Sequence, residues 1–169
     1  MSYLLYKKES LRPGTSIDSQ ADDIDIRAIR LRPFSFFAKE ENFSCKVFLL
    51  RLYFAVITLF QTKLYYAVEK GKVIHTSYVV PKCFKFPFLE KNDFEIGPCF
   101  TSPEHRGKGI YPKVLRHVLK TGSSKTCFYM LVHSTNESSI KGVEKAGFSR
   151  CGLCERGRFN IYRKVVDES

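Results

Sequence analysis

Residues Phe94 to Lys120, FEIGPCFTSPEHRGKGIYPKVLRHVLK, constrain this chain more than any other stretch. Phe94 to Thr101 is apolar, aromatic and β-branched, the composition of a strand in a sheet core. Ser102-Pro103 stops it, because proline lacks the donor a ladder needs and restricts the residue before it. Arg106-Gly107-Lys108-Gly109 follows, two glycines within four residues. Ile110, Val114 and Val118, with Leu115 and Leu119, then recur at helical spacing. Pro112 suits the first turn of that helix, where a missing N–H costs nothing. Strand, glycine turn and helix together can hold phosphate. Backbone without Cβ atoms comes close to an anion, and first-turn N–H groups and the helix dipole point at it. On the loop alone, a phosphate cradle and an ordinary tight turn weigh evenly.

The longer stretch is more specific. Arg106-x-x-Gly109, placed after Ser102-Pro103-Glu104-His105, resembles the acetyl-coenzyme A signature of the GNAT N-acetyltransferases, Arg/Gln-x-x-Gly-x-Gly/Ala. Tyr111 stands where that family usually has Gly or Ala. Asn136 to Phe148, with Ile140, Val143 and Gly147 between, resembles the family's next segment, Asn-x-x-Ala-x-x-x-Tyr-x-x-x-Gly-Phe. The resemblance covers Phe94 to Phe148 well and the remainder by element order. It implies an α/β (α+β) fold: a central mixed, mostly antiparallel sheet flanked by helices and splayed at the cofactor-binding strand. It also implies acetyl-coenzyme A as cosubstrate. The loop amides of Arg106, Gly107, Lys108, Gly109, Ile110 and Tyr111 would bind its pyrophosphate. The strand residues Cys99, Phe100 and Thr101 would pair with its pantetheine arm, with Asn136 and Ser139 close by.

A chain of 169 residues is expected to form one domain, 1–169. Its net charge of +11 favours anionic partners but does not choose among coenzyme phosphates, nucleotides, nucleic acid and membrane surfaces. The basic residues are scattered, and no nucleic-acid motif accompanies them, so a nucleic-acid module is disfavoured. Six cysteines with no secretory signal read as reduced thiols in a cytoplasmic protein, and Cys151-x-x-Cys154, without a second pair, makes a poor metal site. Val47 to Phe60 is strongly apolar but too short, and interrupted by Arg51, to span a bilayer.

Taken in order, Tyr3 to Tyr6 reads as a short first strand or an edge extension, and Leu11 to Gln20 as a loop. Ile24 to Arg30 alternates like a strand. Pro33 to Lys39 reads as a short helix, and Asn42 or Ser44 to Phe60 as a long one. Their phenylalanines read as core or as an acceptor wall. Lys63 to Glu69 and Lys72 to Val80 form strands joined at Lys70-Gly71, and Pro81 to Pro87 an aromatic, basic loop. Lys125 to Val132 is a strand ending at His133. Ser134 and Glu137 suggest a capping box before a helix with Ile140 and Val143 inward, stopped at Gly147. Phe148 to Leu153 and Arg158 to Val166 form a final antiparallel pair.

Acetyl transfer to an amine needs a base, a donor for the thioester carbonyl and an acid for the leaving thiolate. Glu95, in Phe94-Glu95-Ile96-Gly97-Pro98-Cys99, resembles the strand glutamate that serves as base in the family's histone acetyltransferase branch. The other reading is a glutamate that faces water. Gly97-Pro98 suggests a bulge or splay. Val143 occupies the family's usual acid position and cannot donate a proton, which leaves Tyr111, Tyr129, His133, Ser139 or water. Two functions follow. One is an enzyme acetylating a primary amine of a small molecule, such as an amino sugar or sugar nucleotide. The other is a non-catalytic coenzyme A-binding or interaction domain. A homodimer stays open.

Overall fold

The computed structural model describes residues 2–11, 24–31, 45–123 and 125–167. In chain order these give β1 (Ser2–Glu9), β2 (Asp25–Arg30), α1 (Cys45–Ile57), β3 (Lys63–Glu69), β4 (Lys72–Pro81), β5 (Phe94–Thr101), α2 (Ile110–Leu119), β6 (Cys127–His133), α3 (Glu137–Lys145), β7 (Ser149–Arg156) and β8 (Tyr162–Asp167). One eight-stranded sheet runs β2-β3-β4-β5-β6-β1-β7-β8. Every pairing is antiparallel except β5 with β6. The chain therefore forms the mixed, mostly antiparallel sheet with flanking helices that its motifs imply.

Strand alternation sends side chains to two cores. Phe128, Met130 and Val132 of β6 join Ile110, Val114, Leu115, Val118 and Leu119 of α2 and Val143 of α3. Tyr129 and Leu131 turn to the opposite face, where Phe54 and Ala55 of α1 pack with Phe86 and Leu89. A ten-residue helix such as α2 is marginal alone, so the burial of its aliphatic face, at roughly 1.5–3 kcal/mol per large side chain, is what holds it. The two phenylalanines of α1 both join the core, Phe48 partly and Phe54 completely, and Phe54 also faces a cavity described below.

Local chemistry sets the element ends. Lys70 and Gly71 both have positive φ, 49° and 77°, which gives the two-residue turn that matches strand twist between β3 and β4. The helix expected to reach Phe60 ends at Ile57. Leu59 and Phe60 take left-handed conformations, Phe60 N–H donates to Ala55 O, and Thr58 Oγ1 donates to Phe54 O. The capping box expected from Ser134 is not formed, because Asn136 is the N-cap and its side chain accepts from Ser139 N–H. At the other end Gly147, φ 92°, stops the helix as expected.

Two strand expectations need correction. Tyr3 to Tyr6 is no edge extension, since β1 lies inside the sheet between β6 and β7. The final strand begins at Tyr162, because Arg158–Asn160 forms a single 3-10 turn closed by Arg156 on the Asn160 side chain. The Leu11 to Gln20 loop beyond Leu11, and the Pro33 to Lys39 helix, lie outside the described residues.

Candidate active site

The site begins where the sheet opens. β5 pairs in parallel with β6 only at Phe94↔Phe128 and Glu95↔Tyr129. On its other side β5 holds β4 through a bulge: Val79 faces Ile96 and Ser77 faces Cys99, with the cis Gly97-Pro98 peptide between. A bulge in one strand bends it away from its neighbour. Past Glu95 the β6-facing edge of β5 is thus left without a strand partner. Backbone groups on such an edge require some other hydrogen-bond partner.

A cavity of about 570 Å³ lies along that edge, bounded by the glycine turn and the starts of α2 and α3. Cys99, Phe100, Thr101, Arg106, Gly107, Gly109, Ile110, Tyr111, Asn136 and Ser139 all line it. Lys108 is exposed and does not. Gly107 and Gly109 have φ of 76° and 75°, with nothing within 4 Å of where a Cβ would sit. Their need for glycine is therefore conformational rather than a matter of crowding. Arg106 Nε donates to Thr101 O, and its guanidinium lies 6.0 Å from the Phe100 ring centre. Lys141 and Lys145 add positive charge from α3. Those two lysines look like ordinary exposed helix positions in the sequence, and only the fold turns them to the turn.

A second cavity, about 300 Å³, opens from the first through Cys99, Tyr111, Asn136 and Ser139, which line both. Glu95 lines it and is buried at 5% exposure. The reading in which Glu95 faces bulk water is thus excluded. Its Oε2 has no hydrogen-bond partner among the described residues. Burial pushes its carboxyl up to about 8, opposed by the charge of Lys85. A Cβ at Gly97 would come within 2.6 Å of Glu95 Oε1, so glycine leaves the room this carboxyl occupies.

Tyr111 does not cover the glycine turn. Its ring packs inward, 5.7 Å from His75 and so close to Gly142 that a Cβ there would lie 2.6 Å from Cδ1. Burial raises the phenol far above the ordinary tyrosine value. Beside it runs a polar chain. His75 Nδ1 meets Thr101 Oγ1 and Nε2 meets Ser77 Oγ, both at 2.7 Å, and Ser77 donates to Cys99 Sγ. Burial lowers His75 to about 4, so it is neutral at pH 7, and raises the Cys99 thiol to about 12. Of the remaining hydroxyl and imidazole candidates, Ser139 and His133 line the second cavity. Tyr129 instead packs on Phe88 and under Lys7. Val143 is fully buried in the core.

Three features of the second cavity are not legible in sequence: Lys85, Tyr162 and the role of Phe86. The Phe84-Lys85-Phe86 alternation within an aromatic, basic loop was the available signal for two of them. Nothing local marks Tyr162.

A family model described as Acetyltransferase (GNAT) family matches residues 44–148, more than half of the chain. No curated protein matches. Among solved structures, an acetyltransferase of the GNAT family from Colwellia psychrerythraea is similar with a TM-score of 0.59 and 19% identity, over 88% of this chain and 52% of that one. AAC(6')-Ib in complex with paromomycin and acetyl-CoA has a TM-score of 0.56 and 16% identity, over 85% and 91%. An acetyltransferase from the GNAT family of Novosphingobium aromaticivorans has a TM-score of 0.52 and 16% identity, over 90% and 62%. The chain spans about half the length of the Colwellia protein. At such identities these likenesses establish the fold.

Proposed function

The chain belongs to the GNAT family of acetyltransferases, and from that premise we propose that it moves an acetyl group from acetyl-coenzyme A to a primary amine of a small molecule, by direct attack in a ternary complex. The observation that carries the reading is the junction of two cavities at the splay, with a buried carboxylate in the smaller one. The larger has the parts a long phosphorylated thioester needs. The amides from Arg106 to Tyr111, at the N-terminus of α2, hold pyrophosphate. Arg106, Lys141 and Lys145 supply countercharge, and the open edge of β5 at Cys99, Phe100 and Thr101 pairs with an amide-bearing arm. Asn136 caps α3 and faces the junction at once.

Glu95 takes a proton from the acceptor amine. Its carboxyl, held near 8, is basic enough to share a proton with an amine and still ionises at working pH. Tyr111 and Ser139 bring hydroxyl groups to the junction, where a hydrogen-bond donor stabilises the departing thiolate. The high Tyr111 value keeps that hydroxyl protonated. Cys99 stays a neutral thiol, a poor nucleophile, which supports direct transfer over an acyl-enzyme.

We infer an amino sugar or sugar nucleotide as acceptor, and a cytoplasmic protein in which residues 1–169 act as one domain, whether alone or as a homodimer. The free thiols of Cys83, Cys99, Cys127, Cys151 and Cys154 fit a reducing compartment, and all described strands share one sheet. No described helix is long and apolar enough to cross a membrane. Thermal shift with acetyl-coenzyme A, followed by an amine panel read out as free thiol release, tests the reading. Stabilisation with turnover is expected. Stabilisation without turnover across a broad panel would favour the non-catalytic coenzyme A-binding domain instead.

A further inference from the structure

The smaller cavity contains a cation that the acetyl-transfer chemistry does not use. Lys85 lines it together with Glu95. Its Nζ sits 5.0 Å from the ring centres of Phe54 and Phe86 and 5.7 Å from that of Tyr162. Three aromatic faces hold the ammonium in place, but they carry no countercharge. No carboxylate forms an ion pair with it among the described residues. Glu95 is close enough to feel its charge without reaching that distance, and Arg156 is close enough to repel it. Burial accordingly lowers the Lys85 ammonium below its ordinary value.

The electrostatic balance of the chamber is therefore one-sided. Glu95 shares the cavity with Lys85 but makes no ion pair with it, so no described residue directly neutralises the ammonium. A half-buried ammonium without a countercharge is an unfavourable arrangement that an arriving anion relieves. Lys85 is also positioned by rings rather than by a long solvated tether, so little side-chain freedom is lost when it meets a ligand.

We propose that Lys85 is an anion-binding subsite of the acceptor chamber, so that the acceptor carries a carboxylate or phosphate on the same small molecule as its primary amine. Glu95 meets the amine end and Lys85 the anionic end. Phe54, Phe86 and Tyr162 cover the apolar body between. This rests on the proposed function, since it assigns the smaller cavity to the acceptor, and it narrows that function to zwitterionic or phosphorylated amines. Simple cationic amines are poor acceptors, because Lys85 repels them.

The test pairs probes that differ in the anion, with rates referred to the free-amine concentration so that the weaker basicity of an α-amino amide does not count as a preference. L-Phenylalanine is compared with L-phenylalaninamide, and glucosamine 6-phosphate with glucosamine, by kcat/KM from thiol release. In at least one pair the anionic member is preferred, on the order of 10–100-fold for a charge-assisted contact. The pair that shows the preference identifies the anion as carboxylate or phosphate. Lys85→Met keeps the length and apolar stem, and should melt close to the parent because the half-buried charge it removes has no ion-pair partner among the described residues. It should collapse the preference mainly through KM, while Lys85→Arg restores part of it.

A second readout does not need turnover. 3-Phenylpropionate and glycerol 3-phosphate carry the anion without an amine. One of them should raise the melting temperature of the parent but not that of Lys85→Met. Equal use of both members of each pair, a preference that survives Lys85→Met, or anion stabilisation unaffected by Lys85→Met would each overturn the subsite. Lys85-dependent anion binding without turnover of any amine would leave the subsite standing and count against acetyl transfer.

Discussion

Glu95 is the residue at which sequence, packing and chemistry meet most closely. It is buried because it points from a strand inside the sheet to the face lined by Phe54, Phe86 and Tyr162, and its carboxyl has room because residue 97 is glycine. If it deprotonates the acceptor, Glu95→Gln should lower kcat by ~10²–10⁴-fold with little change in acetyl-coenzyme A binding. The parent rate should rise with pH through about 8 as the carboxyl ionises, and the variant should lack that limb. Stability gives an independent readout. The folded chain holds this proton up to about 8, against an ordinary value of 4.5, so it binds more protons than the unfolded chain between those limits. Parent stability is therefore lost as pH rises across that window, by an amount on the order of a few kcal/mol. Glutamine titrates nowhere, so the melting advantage of Glu95→Gln should be small near pH 4 and greatest above pH 8. A rate and pH profile equal to the parent's would make Glu95 structural. Cys99 makes the contrasting prediction. Its thiol is held protonated, and Cys99→Ser conserves a group that can accept from Ser77. Turnover should persist, and intact mass after exposure to acetyl-coenzyme A should show no acetyl group retained on Cys99.

At the scale of elements, the turn between β5 and α2 is the part most legible in sequence, because its determinants are local. Pro103 ends the strand, glycines supply positive φ, and an aliphatic stripe begins at Ile110. The structure adds why glycine is needed. Gly109 is the N-cap of α2 in a left-handed conformation, and open space surrounds it. A branched side chain there is strained at φ 75° and turns the first N–H groups away from the cavity. Gly109→Val should thus weaken acetyl-coenzyme A binding by at least tenfold by calorimetry, with far-UV circular dichroism little changed, on the order of 1–3 kcal/mol being at stake. Undiminished affinity in the folded variant would sink the pyrophosphate assignment. Elements whose ends depend on a competing cap were less legible. Ser134 and Asn136 both suit an N-cap, and only the chain path from β6 selects Asn136. Leu59 and Phe60 continue the apolar pattern of α1, yet Thr58 ends the helix through its own hydroxyl.

Whole-molecule organisation was the least legible, since sheet order and cavity walls are set by contacts distant in sequence. The smaller cavity, proposed as the acceptor chamber, draws on α1, the Lys85 loop, β5, β6 and Tyr162. No window of residues reveals that assembly. The same holds for β1. Its apolar pattern reads as a strand, but nothing in Tyr3 to Tyr6 says that it enters the sheet between β6 and β7. There it pairs on both sides, Tyr3 to Glu9 with His133 to Cys127 and Ser2 to Lys7 with Glu155 to Ser149. Leu5 and Tyr6 are almost completely buried, and the Tyr6 hydroxyl reaches Glu144 on α3. Removing Ser2–Glu9 would leave facing edges of β6 and β7 unpaired, expose the core that holds Tyr6 and the cluster of Leu5 with Cys151 and Cys154, and detach the β7-β8 pair from the rest of the sheet. Unpaired edges inside a sheet also invite association between molecules. Burial of Leu5 and Tyr6 alone contributes roughly 1.5–3 kcal/mol each, and a domain has only about 5–15 kcal/mol of net stability. The ladders on both sides add to that loss. The truncated chain should therefore lack a cooperative thermal transition and should aggregate, whereas a true edge strand could be removed at modest cost. Because β6 leads into the junction at Asn136, acetyl-coenzyme A should no longer stabilise what folded material remains. A soluble truncation that melts cooperatively within a few degrees of the parent would show that β1 merely decorates a sheet that β6 and β7 can close without it.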